Sequence, residues 1–402
     1  MFFLNLNMRI SIVGGGLGGL TAALALLHQG FKVTVYEQAK SLRELGAGVQ
    51  LGPNAVGVLY RLGLQAQMQT IATDTQGKRV RLWNTGQSWP LFDLGALSVQ
   101  MYGYPYLTVH RADLQRVLAE QIHAMDSQCI VLNSKVNGVE QTNGAVKLDI
   151  EGRESVVCDL LIGADGVHSI IRKSLFGHDE ARQSGIMAWR GVIDCKNLPT
   201  HMHEMVATNW VGPGAHVVQY PLRRGALMNF VGAIEGNRWE IESWSEKGST
   251  EECLGDFKGW HEDIQTLIKT IETPYKWVLK VRDPMPTWTQ GSITLLGDAC
   301  HPMLPFLAQG AGMALEDGFI LARALKKYSS SLPQALEHYE SARIERTSKV
   351  VDGSNANAKR FHNPALADAR GASEYVSKEW SEERVKERYE WLFRYNVQEV
   401  EI

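Results

Sequence analysis

Ile10 to Val13 is a short, mostly β-branched apolar run, followed by a glycine turn and then LTAALALLHQG, whose leucines and alanines leave almost no polar face. That segment reads as a buried helix ended by Gly30, and Lys32 to Tyr36 reads as a second strand. The order strand, tight turn, helix, strand opens a parallel βαβ sheet whose faces must be covered by helices. From Met187 to about Trp277 the pattern changes to short alternating strands such as HVVQYPL and ALMNFVGAI, joined by Arg223, Arg224 and Gly225. Such alternation predicts a sheet with one wet face. The tail from about Asn363 to Ile402 carries Trp391, Leu392 and Tyr395 at helical spacing with charges opposite, which predicts a docked helix. The first six or seven residues read as a frayed extension, and no repeat or long low-complexity tract interrupts the chain.

A chain of 402 residues has room for two or three domains with extensive mutual contacts. Lys plus Arg is 41 and Asp plus Glu is 44, a net charge of -3, which excludes a partner recognised by bulk charge, whether nucleic acid or an anionic membrane. Hydrophobic residues at 44% and charged residues at 21% are those of an ordinary soluble globular protein. The five cysteines (Cys129, Cys158, Cys195, Cys253, Cys300) are scattered, with no C-x-x-C pair and no Cys/His cluster at metal-ligand spacing, so reduced thiols and no metal are expected. The opening apolar stretch is broken by Arg9 and by glycines and has no clear cleavage site, which argues against a signal peptide or a membrane span. A cytoplasmic location is the expectation that follows.

Gly14, Gly16 and Gly19 stand as G-x-G-x-x-G between the first strand and the first helix, and Glu37 follows at the end of the second strand. Each spacing has a reason: Gly14 permits the turn, Gly16 lets a pyrophosphate approach the backbone, and Gly19 lets the helix pack closely, while Glu37 can accept from ribose hydroxyls. The spacing alone leaves FAD and NAD open. Two further strand-turn-helix units follow, CDLLIGADGVHSIIR with Asp165 and Gly166 at its turn, and SITLLGDACHPMLPFLAQGAGMALEDGFILARAL with Gly297 and Asp298 at its turn. Asp165 alone would pass for an Asx-turn residue, and Arg111 in LTVHRADLQRVL for a helix-start surface arginine.

Taken together, these three motifs, with Pro305 after the last, resemble the signatures of FAD-dependent aromatic hydroxylases, the single-component flavoprotein monooxygenases, from about residue 8 to about residue 350. The resemblance implies an α/β chain, α+β overall, in which a Rossmann-like FAD-binding domain (1–75, 102–180 and 281–355) carries an inserted mixed or antiparallel substrate sheet (76–101 and 181–280) and C-terminal helices (356–402). It implies FAD as cofactor, NADH or NADPH as co-substrate without a separate domain for it, and O2 with a small aromatic acid as the other reactants. By the same resemblance Asp298 binds the ribityl or ribose hydroxyls, and Arg111 the diphosphate and ribityl region. Asp165 lies between the adenine side and a nicotinamide path, and Gln309, Gly310, Ala311 and Gly312 lie beside the flavin ring. Such hydroxylases are often dimers, so the C-terminal stripe has a homodimer contact as an alternative to docking within the chain.

Within that family the chain is most similar to 3-hydroxybenzoate 6-hydroxylases and salicylate hydroxylases, through ELGAGVQLGPNA (Glu44 to Ala55), AWRGV (Ala188 to Val192) and Gly297 to Gly318. Phe306 departs from salicylate hydroxylases and from 6-hydroxynicotinate 3-monooxygenases, which carry a histidine there. His216 and Tyr220 share one side of their strand because their separation is even. Their bland reading is a sheet histidine and tyrosine with satisfied hydrogen bonds. The resemblance instead implies a phenol pocket lined by both and faced by Gln309. There His216, with an ordinary pKa near 6.5, would be the base that makes the ring electron-rich for attack on a flavin C4a-hydroperoxide, with Tyr220 orienting and Gln309 holding the substrate. Hydroxylation para to the phenol of 3-hydroxybenzoate gives 2,5-dihydroxybenzoate, and the decarboxylating alternative gives catechol from salicylate. A flavoprotein oxidoreductase without oxygen insertion, or a non-catalytic FAD-binding protein, would share the cofactor motifs. His301 and Cys300 beside the third turn read as structural.

Overall fold

The computed structural model describes residues 8–42, 47–93, 95–142, 144–178, 181–236 and 246–402. The first seven residues, read above as an extension, and Glu44 to Gly46 of the quoted ELGAGVQLGPNA stretch lie outside them.

Arg9–Val13 pairs in parallel with Lys32–Tyr36 on one side and Leu160–Gly163 on the other. These are the centre of a six-stranded sheet in the order Thr289–Gln290, Ile293–Leu295, Leu160–Gly163, Arg9–Val13, Lys32–Tyr36, Ile130–Val131. The helix Leu17–His28 is buried from Leu17 to Leu26, and Gly30 follows its end with φ of 86°, a left-handed conformation in which glycine replaces the next helical turn. A second helix, Gly310–Lys327, lies against the first through small residues. A Cβ on Gly18 would fall 3.1 Å from the Ala314 side chain, and one on Gly318 would fall 2.7 Å from the Ala22 backbone nitrogen. Because Gly18 meets Ala314 and Ala22 meets Gly318, the two helices run parallel and their N-termini open at one edge of the sheet, beyond the C-terminal ends of its parallel strands.

The second large sheet has seven strands in the order Tyr275–Val281, Arg182–Asp194, Leu227–Glu235, Ala215–Leu222, Val206–Gly212, Gly77–Leu82, Ser88–Asp93. It is antiparallel except where Val206–Gly212 runs parallel to Gly77–Leu82, so the whole is a mixed α/β fold. The hairpin predicted around Arg223 to Gly225 is present, with all three residues at positive φ. The expected wet face is not. Val217, Trp189, Phe230 and Trp210 pack under Phe257 and Leu267, because the helices Thr250–Asp256 and Glu262–Thr270, unread in the sequence, cover that side. The other face, with Val80, Leu82, Val211 and Ala233, packs on Phe306, Leu307 and Met313 and on the C-terminal residues Phe361, Leu392 and Phe393. Both faces of its central strands are therefore buried.

The C-terminal stripe docks within the chain. Leu392 is buried, the Tyr395 ring lies 3.6 Å below the Arg346 guanidinium, and Trp391 sits under Lys349 of the long helix Leu332–Phe361. Among the described residues no helix is long and apolar enough to cross a membrane.

Gly318→Val would force a branched side chain against the Ala22 backbone. A loss of about 1–3 kcal/mol in urea denaturation is expected, the range for overpacked interiors. An unchanged midpoint would mean that the two helices do not approach this closely.

Candidate active site

The first turn has the geometry of an anion cradle. Gly14 has φ of 110°, and a Cβ there would lie 2.3 Å from the Ala164 carbonyl oxygen. A Cβ on Gly19 would lie 2.1 Å from the Gly14 oxygen, whereas one on Gly16 would meet nothing within 4 Å. The strand and helix are thus pulled together around an opening at Gly16. No side chain caps that helix, so the N–H groups of its first turn remain available to a phosphate. The Glu37 carboxylate accepts from Gly15 N–H (2.6 Å) and Ala39 N–H (2.8 Å), and Gln115 donates to the Gly15 oxygen (2.9 Å). Glu37 therefore braces the loop. Arg111 is the first residue of the helix Arg111–Met125, and its backbone N–H donates to the Ala47 oxygen (2.9 Å).

Asp165 works as a cap on the helix Ile170–Phe176. It accepts from the Ser169 hydroxyl (2.6 Å), Ile170 N–H (2.8 Å) and Ile171 N–H (3.2 Å), while burial pushes its carboxyl up. Arg172 of that helix is buried and donates to the carbonyls of Ala299 (3.3 Å) and Cys300 (3.5 Å), which ties the second turn to the third. In the third turn Gly297 has φ of 63° and the Asp298 side chain is exposed. The Gly310–Lys327 helix that follows is not capped by its own N-terminal residue, since Gln309 is buried and its Oε1 accepts from Asn54 (3.0 Å). Gly310 and Ala311 are partly exposed and Gly312 is buried, and a Cβ on Gly310 would find nothing nearer than Met303 at 3.8 Å. A diphosphate at Gly16, hydroxyls at Asp298 and a flat ring over Gly310 are thus all sterically admitted, and the residues present fit FAD.

Beneath the third turn lies a buried ionic cluster. Asp317 accepts from Gly297 N–H (2.9 Å), Arg343 (2.7 Å) and His301 (2.6 Å). Glu316 accepts from Arg343 and Arg346 (2.7 Å each) and from Asn54 (2.7 Å). Burial pushes the Asp317 carboxyl up, but His301 and Arg343 more than reverse this and hold it at about 2. Cys300, His301 and Asp317 are close enough to share a metal ion. Here His301 and Asp317 are bonded to each other, and the Cys300 thiol, which burial pushes far up, lies 3.4 Å from the Gly297 oxygen. His301 and Cys300 thus both belong to the buried network beneath the turn.

On the sheet, His216 is completely buried, with its ring 4.7 Å from that of Phe306 and 5.1 Å from that of Phe361. Its Nδ1 lies 2.7 Å from His362 Nε2, and its own Nε2 is buried with no partner among the described residues. Burial, and then His362, hold the ring well below the ordinary 6.5, so the ordinary value assumed from the sequence does not carry over to this imidazole. Tyr220 is four residues away on the same face, roughly 13 Å along the strand. It packs on Gly48, whose N–H donates to Asn229 (2.8 Å), and burial pushes its hydroxyl up. The structure therefore brings His216 to the Phe306 loop that leads into Gln309, and places Tyr220 in a second group at the other end of the face.

Two residues of this face were not read from the sequence. Tyr106 is buried near Tyr220 and donates to Gln50 (3.0 Å). Lys78 is only 8% exposed, with no ion pair among the described residues, and burial lowers its ammonium to about 8. The strand registers place it in one row with Ala207, Tyr220 and Asn229. Its signal was in the alternation of GKRVRL, where Lys78 takes the inward phase of Val80 and Leu82. A surface cleft of about 430 Å³ lined by Tyr60, Thr73, Asp74, Met205 and Arg224 contains none of the sequence-predicted residues.

The FAD binding domain family model matches residues 7–354. A 3-amino-4-hydroxybenzoate 2-monooxygenase of Streptomyces platensis is 37% identical over 356 residues, 89% of this chain and 89% of that protein. A 3-hydroxybenzoate 6-hydroxylase of Polaromonas naphthalenivorans (strain CJ2) is 35% identical over 396 residues, 97% of each. Among solved structures, a salicylate hydroxylase substrate complex is 26% identical, covers 97% of this chain and 96% of that one, and superimposes with a TM-score of 0.79.

The buried neutral imidazole makes stability depend on pH. Unfolded, His216 binds a proton near the ordinary 6.5, and folded only well below it, so stability is full above about pH 7 and is lost as pH falls through 6.5. Urea denaturation between pH 8 and 5 should show a steeper acid loss in the parent than in His216→Phe, by up to about 1.4 kcal/mol per pH unit. Equal slopes would mean that the ring is not buried neutral.

Proposed function

Because the chain belongs to the FAD binding domain family of flavin-dependent aromatic monooxygenases, we propose that its substrate is a hydroxylated aromatic carboxylate, converting 3-hydroxybenzoate to 2,5-dihydroxybenzoate. The observation that carries this reading is the sheet face itself, with a buried imidazole at one end and the ammonium of Lys78 at the other, His216 Nε2 having no hydrogen-bond partner and Lys78 no ion pair among the described residues. Four residues and two strands separate their Cα atoms, roughly 16 Å, a span that two side chains reaching inward and one ring would bridge. Both relatives described above are named for a ring bearing a hydroxyl and a carboxylate, and the match to the 3-hydroxybenzoate 6-hydroxylase runs over 97% of both chains.

The cofactor would be held by the Gly14–Gly16–Gly19 turn, Glu37, Arg111, Gly297 and Asp298, with Gly310, Ala311 and Gly312 against its ring. Bound there, FAD would supply the redox chemistry by which NADH or NADPH and O2 deliver one electrophilic oxygen atom, the other oxygen ending as water. The chain's own residues prepare the ring. His216 Nε2 accepts the phenolic proton, which raises electron density at the para carbon. Lys78 takes the carboxylate. Tyr220, whose hydroxyl stays protonated, donates to a substrate oxygen. Gln309, with its carbonyl oxygen engaged by Asn54, has its amide N–H groups left as donors. Phe306 and Phe361 keep water from the imidazole.

Substrate-stimulated NAD(P)H oxidation, O2 uptake and product mass should be measured with 3-hydroxybenzoate, 3-amino-4-hydroxybenzoate, salicylate and 6-hydroxynicotinate. One added oxygen and 2,5-dihydroxybenzoate from the first are expected, with His216→Ala lowering kcat at least about 100-fold while retaining FAD. Stronger turnover of the aminated acid, or catechol from salicylate, would overturn the specific substrate. Lys78→Met should raise KM for 3-hydroxybenzoate about 10- to 100-fold, the worth of a hydrogen bond to a charged group, and leave 3-hydroxybenzamide unaffected. An unchanged KM would remove Lys78 from the site.

A further inference from the structure

We propose that Glu235, His362 and His216 form a proton path that carries the substrate's phenolic proton from the buried sheet face to solvent. The proposal rests on the reading of His216 as the base and adds the route by which it can act. His216 Nδ1 is 2.7 Å from His362 Nε2, and His362 Nδ1 is 3.0 Å from Glu235 Oε1. The Glu235 side chain is 57% exposed and that of His362 is 1% exposed, so the line runs from surface to interior in two steps. The backbone holds it in place. Gly214 N–H donates to the His362 carbonyl (3.1 Å), and Glu235 N–H donates to the Gly214 carbonyl (2.9 Å).

The hydrogen-bond order assigns the tautomers. An ionised carboxylate only accepts, so His362 carries its proton on Nδ1 and accepts at Nε2. His216 must then donate from Nδ1, which leaves the lone pair on Nε2, the buried atom that has no partner among the described residues. Glu235 thus poises, through one intervening ring, the atom that faces the substrate.

The path also removes a difficulty. A ring walled by Phe306 and Phe361, with Val211 and Ala233 beside it in register, cannot hold a positive charge cheaply. Of the described residues facing it, His362 is the one that titrates, and Glu235 acts on His362 in turn. When the phenol O–H breaks and an Nε2–H bond forms on His216, the Nδ1 proton passes to His362 Nε2. The His362 Nδ1 proton then passes to the Glu235 carboxylate and to water. Neither ring remains a cation, and the reverse sequence returns a proton to the product oxygen and resets both tautomers.

The test uses FAD-loaded enzyme with 3-hydroxybenzoate and no NAD(P)H, following the phenolate absorbance of the bound acid against pH, together with the kcat profile. Glu235→Gln keeps an acceptor for His362 and removes the charge. It should raise the pH at which the bound phenol ionises by about 1 unit and move the acid limb of kcat by the same amount, with FAD affinity unchanged. His362→Gln should do the same or more. Parental profiles in both variants, while His216→Ala loses ionisation and turnover, would overturn the path and leave the base in place. Unchanged ionisation and turnover in His216→Ala would overturn both. Without any substrate, 15N spectra of the histidine-labelled holoenzyme should show Nδ1–H tautomers at His216 and His362, and Nε2–H at either would overturn the path.

Discussion

Two adjacent carboxylates, Glu316 and Asp317, are sealed inside the protein with no exposed surface, and the arrangement of the site follows from how they are answered. An unpaired buried charge would cost several kcal/mol, so every element that supplies a partner is held in one register. Arg343 and Arg346 bring the long helix, Asn54 brings the helix Pro53–Arg61, and His301 with the Gly297 N–H brings the third turn. Tyr395 and the Leu392 carbonyl, both bonded to these arginines, bring the end of the chain. Hydrophobic packing could hold the same elements together with more latitude. The ionic cluster fixes which residue meets which, and so where Asp298 and Gln309 stand.

Backbone proximity does comparable work at the sheet edge. Gly14, Gly18, Gly19 and Gly318 each mark a place where a methyl group would strike backbone or a neighbouring side chain. Those contacts bring two parallel helices to the same edge with no side-chain cap at either N-terminus, so that two sets of backbone N–H groups and two positive helix ends open at that edge. Gly16 differs from the others in being open. One glycine motif therefore joins close packing to ligand access.

The sheet face poses the opposite problem, since apolar walls that exclude water also penalise the charge a base would acquire. Phe306 and Phe361 around His216 give the first effect and its depressed basicity shows the second. A histidine that passes its proton onward escapes this conflict, because its own charge need not persist. Lys78, on the same face, is held by burial at about 8, below an ordinary lysine but still mostly charged at neutral pH.

The sequence by itself determined the βαβ start, the three turns and the alternating strands, because each is written in residues fewer than about 25 apart and in the steric needs of glycine or the charge needs of a helix end. It also placed His216 and Tyr220 on one face, since a strand alternates whatever surrounds it. It did not show that both faces of that sheet's central strands are buried, because the helices Thr250–Asp256 and Glu262–Thr270 fold back over one of them. Nor did it show that His216 meets His362, 146 positions later, or that Lys78 shares a row with Tyr220 through an intervening strand. Those pairings were decided by sheet register and by where the long helix ends. They are properties of the packed chain, and the same packing that creates them withdraws the water which would otherwise set the charge of each group.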